Sequence, residues 1–236
     1  MGKKEPNIWG VLGGMGPLAS AEFVATIYDS CRAMTEQEMP IVYLHSNPRV
    51  PDRTSALLTQ EGGLLLRTLE EGINTLLLSG ATRIIVCCMT LHCMVNRLPL
   101  ASRQRIISLL DVLFDSLSAT PHPHLMMCTL GTRLEGLYEN HVRWKQAKNI
   151  VIMPDDSDQK AIHELIYEIK RDKRRAWCDD FINYLSNKYD TRGFIAGCTE
   201  LHLVARRHKI QTPPPFGGWS WIDPLEKIAN LIASGS

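Results

Sequence analysis

Two short apolar runs that each end at a cysteine constrain the fold of this chain more than any other feature. Residues 84–87 lead to Cys88 and residues 193–197 lead to Cys198, and a threonine follows closely after each thiol. Runs of this length between polar or glycine residues are typical of parallel strands that are covered on both faces. Because ligands bind beyond the carboxyl ends of such strands, we expect one thiol from each half of the chain at the site of chemistry.

Two opposed thiols suit a reaction that removes a proton from one face of a carbon and returns one to the other face. The α-hydrogen of an amino acid is very weakly acidic, so the base must be close, desolvated and correctly aimed. A thiolate serves as base and a thiol as acid, provided that the thiol pKa falls from about 8.5, as it commonly does at a helix N-terminus. Both cysteines stand at predicted strand-to-helix turns, where backbone amides are also suited to bind a carboxylate.

Strands and helices alternate along the chain. We predict strands over 8–12, 41–44, 83–87, 106–110, 125–128, 149–153 and 193–197. We predict helices over 17–33, 64–78, up to 118 after the fourth strand, from 133 onward, and over 158–170, 174–187 and 224–233. Strands separated by helices imply right-handed crossovers, so the predicted fold class is α/β, with mainly parallel sheets flanked by helices.

Proline-rich breaks divide this pattern into two pseudo-symmetric domains. The segments 121–124 and 212–215 resist regular structure, because proline restricts its own backbone and that of the preceding residue. Each half opens with a strand that ends in a glycine turn and later carries a strand that ends in cysteine. We predict a first domain over 1–120, completed by 213–236, and a second over 121–212, with the active site in the cleft between them.

Composition excludes several classes of protein. The 236 residues carry 26 basic and 25 acidic side chains, which argues against nucleic acid as a partner, since that requires a concentrated basic face. No stretch reaches the ~18 consecutive apolar residues of a membrane span. The first residues lack the apolar segment of a signal peptide, and seven cysteines without such a signal favour a reducing compartment. We therefore expect free thiols, a cytoplasmic location and no membrane partner.

Six short motifs follow one another in a recognisable order. They are Gly-Gly-Met-Gly-Pro at 13–17, Asn-Pro-Arg-Val-Pro-Asp-Arg-Thr at 47–54, Cys-Met-Thr-Leu-His at 88–92, Thr-Leu-Gly-Thr at 129–132, Ile-Tyr-Glu-Ile-Lys at 166–170 and Gly-Cys-Thr-Glu-Leu at 197–201. Together they resemble the aspartate/glutamate racemase family over nearly the whole chain. The resemblance is to the aspartate racemase branch, because cell-wall glutamate racemases carry Asp-Ser where Gly13 and Gly14 stand.

The resemblance implies a racemase of two pseudo-symmetric α/β domains that needs no pyridoxal phosphate, metal or other cofactor. Its substrate is then an acidic amino acid, aspartate before glutamate, and the protein is expected to be a homodimer. Cys88 and Cys198 match the catalytic pair, while Arg53 and Lys170 match the residues that bind the side-chain carboxylate. The remaining expected substrate contacts are Met15, Gly16, Met89, Thr90, Thr129, Thr132, Thr199 and Glu200.

Met89 departs from the pattern that the resemblance implies, since the family usually has an asparagine after the first catalytic cysteine. A thioether cannot donate the hydrogen bond of an amide, and a lost bond to a charged group typically costs about 1.5–3 kcal/mol. Two other functions therefore stay open. One is an amino-acid-binding relative without catalysis, and the other is a related enzyme for a hydantoin, maleate or an arylmalonate.

Several of these residues also have plainer interpretations. A strand-end cysteine is often only a packed core residue, and the first catalytic cysteine with His92 has the spacing of metal ligands on one helical turn. Lys170 is equally suited to interact with the C-terminal dipole of its helix, and Arg53 to lie on the surface. Glu200 and His92 either tune the thiols or begin helices. The glycine turn at 13–17 matches no nucleotide-binding pattern and is suited to a small anion.

Overall fold

The computed structural model describes residues 7–59, 61–171, 178–211 and 218–235, whose strands form two four-stranded sheets. The first sheet contains β1 (Ile8–Gly13), β2 (Ile41–Ser46), β3 (Arg83–Val86) and β4 (Ile106–Ile107) in the order β2-β1-β3-β4. The second contains β5 (His124–Met127), β6 (Val151–Ile152), β7 (Gly193–Ala196) and β8 (Ser220–Ile222) in the order β6-β5-β7-β8. Every strand pair is parallel, so the two sheets repeat one topology and the predicted α/β fold class is confirmed.

The helices of the first half follow the strands in alternation. They are α1 (Pro17–Ser30), α2 (Arg53–Leu58), α3 (Gly62–Leu78), α4 (His92–Val95), α5 (Leu100–Arg103) and α6 (Leu109–Ser118), with a 3₁₀ turn at Glu36–Glu38. The remaining helices are α7 (Leu130–Leu134), α8 (Trp144–Ala147), α9 (Asp156–Arg171), α10 (Cys178–Lys188), α11 (Leu201–Gln211) and α12 (Pro224–Ala233). None of the helices in the described segments is long and apolar enough to cross a membrane.

The hydrophobic core has a shared centre and two outer layers. The central cluster joins the sheets through side chains such as Val11, Met126 and Ile195, together with residues of α1, α6 and α12. One outer cluster packs α3 against the first sheet, and the other packs α9 and α10 against the second. Burial of both faces explains why the central strands are continuous apolar runs rather than alternating ones.

Two element boundaries differ from the prediction because side chains cap the helices that follow. The predicted strand over 106–110 ends at Ile107, because the Ser108 hydroxyl accepts a hydrogen bond from the Asp111 amide (3.1 Å) and begins α6. The helix predicted from 133 begins at Leu130, because the Thr129 hydroxyl accepts from the Thr132 amide (3.4 Å). The start of the helix predicted over 174–187 and the break predicted at 212–215 lie outside the described residues.

The C-terminal segment differs from the prediction that it completes the first domain. Strand β8 belongs to the second sheet, because it forms a parallel ladder with β7. Helix α12 instead packs against α1 and α6 of the first half and joins the central core. The chain end therefore contributes to both halves, and the domain limits near 120 and 212 stay a proposal.

Candidate active site

Cys88 and Cys198 follow equivalent strands of the two sheets. Cys88 stands two residues after β3, Cys198 stands two residues after β7, and both are buried. The equivalence follows from the strand orders, in which β3 and β7 occupy the same position. All seven cysteines of the chain are described, and all are unpaired.

Hydrogen bonds tie the turn that carries Cys198 to the rest of the core. The Thr199 hydroxyl donates to the carbonyl of Cys87 (3.4 Å), so the turns after the two strands are in direct contact. On the other side, the buried Tyr138 hydroxyl donates to the Gly197 carbonyl (2.7 Å). These bonds fix the backbone on both sides of the Cys198 thiol.

Glu200 links Cys198 to the glycine turn after β1. The Cys198 thiol donates to Oε2 of Glu200 (2.8 Å), and the Gly16 amide donates to Oε1 (2.9 Å). A Cβ atom at position 16 would lie 2.7 Å from Oε1, so a larger residue there would displace the carboxylate from its present position. Burial and then the charge of Glu200 raise the pKa of Cys198 well above its usual value. Cys198 therefore holds its proton, and the expectation that its pKa falls at the start of a helix is wrong for this thiol, because burial and the nearby carboxylate outweigh the helix N-terminus.

The glycine turn after β1 also depends on Gly14. Its φ of +92° lies in the left-handed region, and a Cβ there would meet the backbone of Asn47 at 2.3–2.6 Å. A glycine at this position lets the loop after β1 pack against the loop after β2. Met15 lies in the same turn with its side chain buried.

Three threonines form a second bridge between the halves. The hydroxyl groups of Thr90 and Thr132 are 2.9 Å apart, and those of Thr129 and Thr132 are 3.0 Å apart. Thr90 follows Cys88, whereas Thr129 and Thr132 lie at the start of α7 after β5. All three are buried, and their contact with a substrate stays a prediction.

Arg53 lies in the first turn of α2. The side chain is buried, and its guanidinium donates to the carbonyls of Met15 (2.6 Å) and Pro51 (3.2 Å). Burial lowers the pKa of this guanidinium, but the attraction of four acidic neighbours outweighs burial and raises the pKa overall. These neighbours are Cys88, Asp52, Glu200 and Cys198. Arg53 is therefore buried rather than on the surface, and its contact with a substrate stays a prediction.

Lys170 lies near the end of α9. Its ammonium group stands 4.1 Å from the centre of the Tyr167 ring, and its charge acts to lower the pKa of Cys198. The Tyr167 hydroxyl donates to Oδ2 of Asp52 (2.6 Å), which joins α9 to the N-cap of α2. Burial raises the pKa of Asp52, but hydrogen bonds from Tyr167 and Ser55 and the charges of Arg53 and Lys170 lower it overall.

His92 is held by two hydrogen bonds and is not free to bind a metal. Its Nε2 accepts from the Leu109 amide (3.2 Å), which leaves the proton on Nδ1 to donate to the Cys88 carbonyl (3.0 Å). Burial lowers its pKa to about 4, so the ring is neutral. Across the described segments, no group of three or more His, Cys, Asp and Glu side chains is placed to hold a metal ion.

The Met89 side chain is 1 % exposed and belongs to the central apolar cluster, whereas Cys88 belongs to the cluster on the other face of the first sheet. Contact between Met89 and a substrate stays a prediction.

The sequence analysis assigned no role to Asp52 or Tyr167. An aspartate before the helix at 53 is a capping signal, but its tyrosine partner is 115 residues away along the chain.

Known proteins share this sequence pattern and fold. Residues 12–231 match the family described as Asp/Glu/Hydantoin racemase. An aspartate racemase from Picrophilus torridus superposes with a TM-score of 0.81 at 20% identity, over 97% of this chain and 93% of that one. A glutamate racemase from Francisella tularensis in complex with D-glutamate gives 0.58 at 14% identity, over 98% and 81%.

An aspartate racemase homologue from Pyrococcus horikoshii has a TM-score of 0.63 at 16% identity, over 97% of this chain and 99% of that one. At these identities the likeness shows the fold alone. The family match covers nearly the whole chain and includes both cysteines, Arg53 and Lys170. The protein belongs to the Asp/Glu/Hydantoin racemase family.

Proposed function

We propose that this protein racemises an acidic amino acid, aspartate before glutamate, with two cysteines and no cofactor. The observation that carries the proposal is the pair of buried thiols beyond equivalent strands of two like sheets. A hydrogen bond from the Thr199 hydroxyl to the Cys87 carbonyl joins the two turns that carry the thiols. A reaction that exchanges a proton between two faces of one carbon is well served by this kind of twofold arrangement.

In the proposed reaction, the thiolate of Cys88 removes the α-proton from one enantiomer while the Cys198 thiol donates its proton to the opposite face. The α-carbon then carries the inverted configuration, Cys88 holds a proton and Cys198 is a thiolate. The reverse turnover uses the same groups with the roles exchanged. Glu200 supports this exchange, because it accepts a hydrogen bond from the Cys198 thiol and can receive its proton.

Two cations support the choice of an acidic substrate. Arg53 offers a bidentate partner for a carboxylate, and Lys170 adds a second positive charge near Cys198. Thr90 and Thr132 supply hydroxyl groups suited to the α-carboxylate. A substrate with two carboxylates matches this distribution better than a neutral amino acid does.

Hydrogen exchange in deuterated water tests the function directly. Purified protein with L-aspartate should replace the α-hydrogen by deuterium and produce the D-isomer, as measured by NMR and chiral chromatography. The same measurement with D-aspartate and with both glutamate enantiomers ranks the substrates. No exchange in aspartate, glutamate or any related amino acid would refute the proposal.

Single replacements of the thiols test the two-base mechanism. Cys88→Ser and Cys198→Ser should each stop racemisation, while exchange from one enantiomer should survive in each variant. Cys128→Ser replaces another buried thiol of the second half and is the matched control, so this variant should still racemise the substrate. Loss of exchange from the same enantiomer in both active-site variants would contradict opposed bases.

A hydantoin, or a small carboxylate other than an acidic amino acid, is the second candidate, and the apolar Met89 in place of the expected asparagine is the feature that favours it. The substrate panel therefore includes a hydantoin, maleate and an arylmalonate. Binding of amino acids without exchange, measured by calorimetry, would instead support a binding protein. The homodimer and the cytoplasmic location stay predictions, which light scattering and cell fractionation test.

A further inference from the structure

A buried hydrogen-bonded group outside the proposed site joins three helices. His202 lies in the first turn of α11 and is 0% exposed. Its Nδ1 is 2.5 Å from Oδ2 of Asp223, and its Nε2 is 2.8 Å from the hydroxyl of Thr26. Asp223 is the N-cap of α12, and Thr26 lies on α1, so one imidazole contacts the cap or body of each neighbouring helix.

The partners of His202 are themselves held in place. Oδ1 of Asp223 accepts a hydrogen bond from the Leu225 amide (3.0 Å), and the Thr26 hydroxyl donates to the Glu22 carbonyl (2.8 Å). Thr26 is 0% exposed and Asp223 is 2% exposed. A polar group buried to this extent is costly unless every partner is present, so the three side chains keep one arrangement.

The position of His202 in the chain connects this group to the thiol. Helix α11 begins at Leu201, directly after Cys198, Thr199 and Glu200. Helix α1 begins at Pro17, directly after Gly16, whose amide donates to Glu200. The two helices are therefore linked twice, by Gly16 with Glu200 at their ends and by Thr26 with His202 along their length.

We propose that His202 is a positioning residue, which holds the first turn of α11 against α1 and α12 and thereby aims Cys198 and Glu200. The proposal rests on the proposed function for the role of Cys198. A rigid helix transmits a displacement of its first turn to the residues just before it. Misplacement of a reacting group by about 1 Å can cost on the order of 10²-fold in rate.

The same helix offers a matched control. His208 is buried six residues further along α11, its Nε2 is 2.9 Å from Oδ1 of Asp179, and its Nδ1 accepts from the Trp221 indole (3.1 Å). His208 is thus another histidine of α11 that pairs with an aspartate of a neighbouring element, but it lies toward the end of the helix that is remote from Cys198. Loss of either pair weakens the packing of α11, whereas only loss of the His202 pair should disturb the thiol.

The test measures the alkylation rate of the Cys198 thiol by iodoacetamide, read by mass spectrometry of its peptide, in variants of the full chain. His202→Leu should change this rate by about tenfold or more, while the rate of Cys88 stays nearly constant. His208→Leu should leave the Cys198 rate as in the unmodified protein. His202→Asn, whose amide can still donate to Asp223, should recover part of the original rate. If His202→Leu does not fold, the Cys198 alkylation rates of His202→Asn and His202→Gln are compared with that of His208→Asn instead.

Kinetics supply the second readout. With aspartate, His202→Leu should lower kcat by about tenfold or more with little change in KM, because the residue does not touch the substrate. Equal effects of the His202 and His208 variants on Cys198 alkylation, or an unchanged rate in folded His202 variants, would overturn the inference. Absence of racemisation in the unmodified protein would refute the proposed function alone, since alkylation requires no substrate.

Discussion

One carboxylate, that of Glu200, makes two different contacts with its two oxygens. One oxygen receives the hydrogen bond of the Cys198 thiol, and the other receives the amide of Gly16. The side chain is 2% exposed, so both contacts are made away from bulk water. A motif can place a glutamate two residues after a cysteine, but the amide that orients it comes from the opposite half of the chain.

Replacement of Glu200 by glutamine tests the proton-accepting role. The glutamine side chain is nearly isosteric and could keep a contact with Gly16, but it cannot take a proton from Cys198. We expect Glu200→Gln to lower kcat for aspartate by about 10²-fold, the size of a typical acid–base contribution, with a smaller change in KM. Glu22→Gln, on α1 beside Arg206, should have wild-type kinetics. A Glu200→Gln enzyme with unchanged kcat would mean that Glu200 only orders the turn.

Met89→Asn has two expected effects that are measured separately. An amide in the central apolar cluster should lower the free energy of unfolding by about 1–3 kcal/mol in urea titrations. If the side chain also reaches the substrate, KM for aspartate should fall about tenfold, the value of a restored hydrogen bond to a charged group. Reduced stability with unchanged KM would mean that Met89 serves the core alone.

His92 makes the protein sensitive to acid. Burial lowers its pKa to about 4, whereas the unfolded chain has a histidine pKa of about 6.5. Between these values the unfolded state binds the proton and the folded state does not, so stability is lost as the pH falls. The loss in the free energy of unfolding that His92 causes reaches about 3 kcal/mol near pH 4. In urea titrations from pH 7 to pH 4, His92→Gln should show a shallower loss, and an identical slope would contradict this assignment.

At the scale of elements, helices and strands begin where a side chain caps them or a ladder forms. The run 106–110 is apolar enough for a strand, but Ser108 caps a helix whose buried face includes Leu109, Leu113 and Leu117. That spacing is helical, so the capping residue and the period together decide the boundary. The two-residue strand β6 and the strand β8 form because they extend ladders of β5 and β7.

The contact between α9 and α2 can be broken by removing one hydroxyl. Tyr167→Phe loses the hydrogen bond to Asp52 (2.6 Å), which joins the second half of the chain to the helix that carries Arg53. We expect a loss of about 1.5–3 kcal/mol in the free energy of unfolding and a higher KM for aspartate, because Arg53 is less well held.

Tyr189→Phe is the control for that change, since the Tyr189 hydroxyl donates to Asp158 (2.7 Å) within the second half. It should lower stability and leave KM unchanged. An equal rise of KM in both variants would show a general loosening of the fold rather than a contact specific to Arg53.

At the scale of the whole molecule, buried thiols should make stability fall in alkali. Burial raises the pKa of Cys128 to about 12 and that of Cys178 to about 11, whereas an unfolded thiol has a pKa of about 8.5. Above pH 8.5 the unfolded state therefore releases protons that the folded state keeps, and each such thiol costs about 1.4 kcal/mol per pH unit. In urea titrations between pH 9 and 10.5, Cys128→Ala should make the free energy of unfolding fall less steeply with pH, by the equivalent of about one proton. An unchanged slope would contradict the raised pKa of Cys128.

The sequence by itself determined the alternation of strands and helices, the parallel sheets and the two thiols beyond their strand ends. It could do so because these features depend on short apolar runs, on residues next to each other in the chain and on the geometry common to parallel sheets. Only the tertiary structure decided the contacts of Glu200 with Gly16, of Tyr167 with Asp52 and of His202 with Thr26 and Asp223. It also decided that β8 joins the second sheet while α12 packs on the first half. Such pairs are far apart along the chain, and their burial and direction follow from how the two halves pack rather than from local periodicity.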